Sequence, residues 1–359
     1  MAATDIESRA DLLGLSRSEL EEQILPVVGK RFRVEQVYDA LHRRAVGEFS
    51  EITELAKSLR LELAERFRIG VPEIEERRVS TDGTRKYLLK LRDGASVEAV
   101  DIPDRGRHTL CISSQAGCAL ACRFCVTGFW GAGRSLTAGE IVGQVQAIRR
   151  DEPPMGESLN LVFMGMGEPL LNLQNLESAI AVLSEIISLR RITVSTAGVV
   201  PGIEALAQWK RRPNLAVSLH APDDDRRSEL MPINRSYPLV ELMRVLRNYP
   251  LEPRRRITFE YILIRDFNDS LRDADALAKL LRGMSAKVNL IPANPDPVLG
   301  DTMVPPLPQV VSAFQQRLLD RGYTTTVRRR RGDDVSAACG QLRAFAREPR
   351  GFRRSNLSL

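Results

Sequence analysis

Apolar positions recur along the chain with different periods, and each period predicts a different kind of element. Over residues 1–70 the spacing is helical. Val34, Val37, Tyr38 and Leu41 fall on one face, Ile52, Leu55, Ala56 and Leu59 repeat the pattern, and Ser16 with Glu19 three residues on reads as a capping box. A small helical domain is expected there. Over residues 71–103 the period drops to two, with strands expected at 77–79, 86–91 and 97–102 and with Asp82-Gly83 and Asp93-Gly94 as hairpin turns. Glu98 breaks the alternation, because it shares a strand face with Val100 and Ile102, where a half-buried strand carries apolar side chains. A carboxylate so placed stands at a sheet edge or aims into a site.

Beyond residue 104 helix and strand patterns alternate. Strands are expected at 109–113, 159–164, 191–195, 214–220, 257–264 and 287–291, with amphipathic helices between them, such as 176–187 and 239–246. Thr137 caps a further helix with Glu140, and Ile141, Val142, Val145 and Ile148 form its buried stripe. Such alternation argues for a parallel sheet with crossover helices, and six units are too few to close an eightfold barrel. The expected fold class is α/β. It is a partial (β/α)6 barrel over 104–335, joined to the helical domain at 1–70, a β-hairpin extension at 71–103 that carries Glu98, and a C-terminal segment at 336–359.

Composition narrows the class. With 359 residues and 43% hydrophobic content the chain can bury a large core. No stretch approaches the roughly 18 to 20 uncharged apolar residues of a membrane span, and the N-terminus is too acidic and polar for an export signal. A cytoplasmic location and no membrane partner are expected. Five cysteines, an odd number in a long chain, argue for reduced thiols rather than a disulfide framework. A net charge of +6 permits a nucleic-acid partner without requiring one. The basic points Lys30, Arg31, Arg33, Arg43 and Arg44 read equally as a solvated or a binding face; arginine runs such as 254–256 usually mean a solvated face, but 328–331 directly precedes the segment that holds Cys339, which favours contact with a nucleic-acid phosphate.

Four of the five cysteines lie in residues 111–125, CISSQAGCALACRFC, and Cys118, Cys122 and Cys125 follow a C-x3-C-x2-C pattern. Clustered soft thiolates select zinc, copper(I) or an iron–sulfur cluster. A closed structural zinc site would want a fourth Cys or His at short spacing, which the flanks lack. Three thiolates on a four-iron cluster leave one iron open to a second molecule. In parallel α/β folds ligands gather at the carboxyl ends of strands, and here those ends are polar. The second strand runs into Gly165-Met166-Gly167-Glu168-Pro169 and the third ends at Ser195; the fourth sets Ser218 and His220 on the face opposite Leu219, and Asn294 follows the sixth. Each alone is ordinary turn chemistry; together at one rim they read as a pocket.

The motifs VEAVDIP, CISSQAGCALACRFC, MGMGEPLLN, STAGVVP, SLHAP, LIPANP and GDDVSAACGQL, in this order over residues 97–342, resemble the RlmN type of radical S-adenosylmethionine (SAM) enzyme. That family methylates C2 of an adenine in 23S ribosomal RNA and in certain tRNAs. The resemblance implies a 4Fe-4S cluster on Cys118, Cys122 and Cys125. It also implies SAM held through its amino group by Gly167 and Glu168, with Ser195, Ser218, Leu219, His220 and Asn294 completing the pocket. Its further implications are 23S rRNA and tRNA as partners, the N-terminal helices as an RNA-binding appendage, and an external, flavodoxin-like electron donor.

The chemistry accounts for the two remaining cysteines. C2 of adenine is electron-poor and offers no nucleophile to the SAM sulfonium, so a radical route is needed. A 5′-deoxyadenosyl radical abstracts hydrogen from a methyl group but delivers none, so a methyl carrier is needed as well. Cys339 fits as that carrier, methylated by a first SAM and activated by a second. By the resemblance Glu98 is the base that removes the C2 proton, and Cys111 resolves the adduct through a transient disulfide with Cys339. Rival readings are a Cfr-like enzyme that methylates C8, a radical SAM activase acting on a partner protein, and a zinc-dependent RNA-binding module.

Overall fold

The computed structural model of the chain describes residues 9–151 and 159–342. It opens with a short strand β1 (Ala10–Asp11) and helices α1 (Arg17–Val28), α2 (Arg31–His42) and α3 (Lys57–Arg66), closed by β2 (Phe67–Arg68), which pairs in parallel with β1. The capping box forms as the sequence predicts: Ser16 accepts from the Glu19 N–H and Glu19 accepts from the Ser16 N–H. These helices enclose their own apolar cluster around Leu20, Ile24, Val37, Leu41 and Leu63. Arg31, Arg43 and Arg44 are paired on the surface with Glu21, Asp39 and Glu54.

Three antiparallel strands follow, β3 (Glu73–Val79), β4 (Arg85–Lys90) and β5 (Ser96–Asp104). Gly83 and Gly94 take positive φ in the two Asp-Gly turns, as expected of hairpins. After β6 (Arg107–Cys111), the short pair β7 (Gln115–Ala116) and β8 (Arg134–Ser135) flanks α4 (Val126–Phe129). The chain then alternates through α5 (Ala138–Asp151), β9 (Leu159–Phe163), α6 (Leu173–Leu183), β10 (Ile192–Thr196), α7 (Val200–Ala207), β11 (Asn214–Ser218), α8 (Asp224–Leu230), α9 (Leu239–Arg247), β12 (Ile257–Leu263), α10 (Leu271–Leu280), β13 (Ala286–Pro292), α11 (Pro308–Asp320) and β14 (Thr324–Val327). The reciprocal Thr137–Glu140 bonds precede α5.

One sheet of ten strands runs in the order β14-β13-β12-β11-β10-β9-β6-β5-β4-β3. The strands from β6 through β14 are parallel, and β5 joins β6 antiparallel, so the hairpin strands continue the barrel sheet instead of standing beside it. The sheet stays open, with β3 and β14 as its edges. Its six expected parallel strands are joined by a seventh, β14, which the hydrophobic pattern did not announce. A four-residue edge strand reading TTTV lacks the apolar alternation that marks a strand in sequence.

Register decides the site. Across β4, β5 and β6, Lys86 pairs with Val100 and Val100 with Cys111, while Glu98 pairs with Leu88. Paired residues share a sheet face and alternate residues along a strand return to it, so Lys86, Glu98, Val100 and Cys111 lie on one face. Glu98 is therefore not an edge residue: β5 has a neighbour on each side, and the carboxylate is fully buried.

Candidate active site

Cys118, Cys122 and Cys125 line one cavity at the carboxyl ends of the parallel strands, together with residues from the ends of β9, β10 and β11. Gly167, Glu168, Ser195, Ser218 and His220 belong to the same wall. Gly167 has φ +91°, and a Cβ there would meet the Gln115 side chain at 2.4 Å, so both the turn and the close approach require glycine. Glu168 is almost completely buried, accepts from the backbone N–H of Ala197 at 2.8 Å and of Leu170 at 3.1 Å, and has its own N–H on Gln115. Burial raises its carboxyl to about 7, against the pull of those donors. His220, at φ +60°, accepts at Nδ1 from the Ile262 N–H at 3.0 Å. Burial and then Arg227 lower it to about 3, so the ring stays neutral and carries its proton on Nε2. Leu219 turns the other way, into the core.

The three cysteines of the loop are all pushed upward by burial first, Cys118 to about 11, with the charge of Cys125 adding to Cys118 and Cys122 and that of Cys339 adding to Cys125. Closely set thiolates in an apolar wall are stable only beside a cation, which is the donor set an iron–sulfur cluster uses. A four-iron cluster takes one thiolate on each of three separate irons, so three cysteines suffice to hold it.

A second cavity lies against the first. Arg328, Arg329, Arg330 and Arg331 contribute to its wall with Asn294 and Cys339, which makes the arginine run after β14 a cavity lining. Cys339, Arg328 and Ile291 line both cavities. Asn294 holds the Cys339 loop, its Nδ2 donating to the Cys339 carbonyl at 3.2 Å. Cys111, nearly buried, is pushed up to about 12 by burial and then by the charge of Cys339, with Arg328 opposing. Arg328 is in turn raised by Cys339 first, and also by Glu260 and Cys111. Neither Cys111 nor Glu98 is part of either wall among the described residues.

Several residues here carried no signal in the sequence. Arg227 is completely buried, donating to the carbonyls of Ala197 at 2.7 Å and Ser218 at 3.2 Å and to Asn234 at 2.7 Å, so it ties the ends of β10 and β11 together beneath the cavity. Glu260, in register with Ser218, lines the first cavity and accepts from Asn289 at 2.7 Å. Lys86 forms a buried ion pair with Glu98 at 3.0 Å. Period-two reasoning marks Lys86 and Glu260 only as polar positions on a core face, and Arg227 sits in the short helix α8; the partners of all three lie on other elements.

An open parallel barrel with a three-cysteine loop at its carboxyl rim, beside a pocket of glycine, carboxylate, serine and histidine, defines a radical SAM enzyme. The Radical SAM superfamily model matches residues 112–278, and the model of the ribosomal RNA large subunit methyltransferase N-terminal domain matches residues 10–69. The dual-specificity RNA methyltransferase RlmN of Halorhodospira halophila is 47% identical, over 95% of each chain; that of Geobacter sulfurreducens is 47% identical, over 94% of this chain and 93% of its own. The crystal structure of a radical SAM methyltransferase from Sphaerobacter thermophilus superposes with a TM-score of 0.88 at 43% identity, covering 93% of this chain and 99% of that one. The chain belongs to the RlmN family of radical SAM RNA methyltransferases.

Proposed function

We propose that the protein methylates C2 of an adenine in 23S rRNA and in tRNA, carrying the methyl group on Cys339. The observation behind this reading is the position of Cys339 on the wall common to two cavities, one bearing the cluster cysteines and the other an arginine lining. A carrier must face its methyl donor on one side and its acceptor on the other. The division of labour follows: residues 1–70 as an RNA-binding domain, 71–103 as the hairpin extension with Glu98, 104–335 as the radical SAM core and 336–359 as the carrier segment, of which 343–359 lie outside the described residues.

Cys118, Cys122 and Cys125 would hold a 4Fe-4S cluster, which supplies one-electron cleavage of SAM and hence hydrogen abstraction from a methyl group. Gly167 and Glu168 would take the SAM amino group, with Ser195, Ser218 and His220 around the rest, the Leu219 backbone between the last two, and Asn294 acting from the second cavity through the Cys339 loop. Neutral His220 offers an Nε2 proton, and Arg227 keeps the ends of β10 and β11 in place. Cys339 accepts a methyl from SAM on a wall that it shares with Arg328. Glu98 takes the C2 proton from adenine joined to Cys339 through one methylene. Cys111 then gives up its thiol proton as its sulfur attacks the Cys339 sulfur: the S–S bond forms, the S–CH2 bond breaks and the released methylene takes a proton to become the methyl group, while the odd electron left by radical addition would be taken up by the one-electron chemistry the cluster supplies. The electron donor on this reading is an external flavodoxin-like protein, and the setting is the cytoplasm; no described helix is long and apolar enough to cross a membrane.

The test is to map the methyl group on 23S rRNA and tRNA treated with anaerobically reconstituted enzyme. Methyl at C2, lost in Cys339→Ala while that variant keeps about four iron and four sulfide per chain, is the expected result. Methyl at C8, or C2 methylation by Cys339→Ala, overturns the reading.

A further inference from the structure

Lys86 and Glu98 form a diagonal pair across β4 and β5, on the sheet face that also carries Cys111. Their side chains are 2% and 0% exposed, and the ammonium lies 3.0 Å from Glu98 Oε1. An ammonium has three donors, and another of these is spent on the carbonyl of Ser336 at 3.0 Å. Ser336, at φ +51°, stands three residues before Cys339 in the carrier loop. The same hairpin supports that loop twice more. Its turn accepts the Gly332 N–H on Asp82 at 3.0 Å, and Ser80 and Thr81 donate to Asp334.

A buried ion pair contributes little net stability, because desolvating both charges offsets most of their attraction, and an apolar pair of similar volume often does as well. What this pair adds is a fixed relation between two parts of the molecule. We propose that Lys86 is a positioning residue of the methyl transfer: its ammonium couples the Glu98 carboxylate to the Cys339 loop, keeping the base anionic and in register with the adduct it must deprotonate. The inference rests on Glu98 as the base. It assigns Lys86 no role in touching RNA or SAM and no proton of its own to transfer. While Glu98 is anionic, the ammonium holds carboxylate and loop together. Once the C2 proton is on Glu98 that attraction is gone, and the loop keeps its hydrogen bonds to Lys86, Asp82, Ser80 and Thr81, at the stage when Cys111 must reach Cys339.

Lys86→Met and Lys86→Arg in the full chain, reconstituted with cluster, are compared by mass spectrometry for methyl on Cys339 and for RNA bound covalently to Cys339. Lys86→Met is expected to load Cys339 as the wild type does, to accumulate the RNA adduct, and to release methyladenosine roughly tenfold more slowly or worse. Lys86→Arg, which keeps charge and donors, is expected to restore release. Wild-type release by Lys86→Met, failure of that variant to load Cys339, or equal stalling of both variants overturns the proposal. If Lys86→Met does not fold, Lys86→Gln, which keeps a donor without the charge, is read in the same way. Glu98→Ala run alongside separates the two readings. Free turnover by Glu98→Ala removes Glu98 as the base, whereas a stalled Glu98→Ala beside a freely releasing Lys86→Met removes Lys86 alone.

Discussion

The backbone N–H of Val126, which follows Cys125, donates to the carbonyl of Gly340, which follows Cys339, at 2.6 Å. One hydrogen bond therefore joins the cluster loop to the carrier loop, and Thr127 repeats the link by donating to the Leu342 carbonyl at 2.8 Å. Gly340 itself has φ +83°, and a Cβ on it would meet the Phe124 carbonyl oxygen at 2.5 Å.

Gly340→Ala should thus cost about 1 to 3 kcal/mol through the left-handed backbone and the clash together. Because the strain falls between Cys125 and Cys339, methyl loading should drop more than global stability does. Paired measurements of thermal midpoint and of methyl-Cys339 by mass spectrometry check this; loading at the wild-type level would mean the two loops move independently.

Cys111→Ala should load the methyl and add to adenine, yet lack the thiol that frees the product. Protein joined to RNA should accumulate, and nuclease digestion should leave an adenosine linked to Cys339 through one methylene. Methyladenosine formed at the wild-type rate by this variant would remove Cys111 as the resolving thiol.

Neutralising Arg329 and Arg331, both in the wall of the second cavity, should weaken RNA binding and flatten its dependence on salt. Each arginine that no longer neutralises an RNA phosphate lowers the slope of log affinity against log salt by roughly one unit. An unchanged slope in a salt titration would assign both side chains to solvent and to their protein partners, such as Asp104 for Arg331.

His42 gives the helical domain a pH dependence. The ring is fully buried against Tyr38, and neither of its nitrogens has a hydrogen-bond partner among the described residues. Burial first, then Arg149 and Arg17, lower it to about 4. The unfolded chain, with an ordinary histidine near 6.5, binds the extra proton between those values. The contribution of His42 to stability is therefore complete above about pH 6.5 and is lost as pH falls toward about 4, at up to roughly 1.4 kcal/mol per pH unit. Denaturation midpoints between about pH 7 and pH 4.5 should fall less steeply for His42→Phe than for the wild type; parallel curves would mean that other groups set the slope.

What the sequence determined by itself is what short spacing encodes. The C-x3-C-x2-C loop, the Asp-Gly turns, the capping pairs Ser16–Glu19 and Thr137–Glu140 and the alternation of periods are all written within a few residues, because local geometry and burial of one face impose them. The alternation was enough for a parallel barrel. It did not extend to β14, whose threonines pair with β13 by backbone bonds that need no apolar face.

Tertiary structure decided everything that depends on which strand lies beside which. Glu98 looked equally like an edge carboxylate or a functional one until the antiparallel junction of β5 with β6 made it an inner residue and set Lys86 on the same face. The arginines at 328–331 could have faced solvent, but the turn after β14 brings them to a cavity wall with Cys339. Cys111 is raised by burial and then by the charge of Cys339, a residue far from it in the chain that no local spacing could have paired with it. Arg227 has no local partner to announce it, since its carbonyls belong to the ends of two other strands. A buried charge is tolerated only where distant groups satisfy it, and the packing of the whole sheet determines which groups those are.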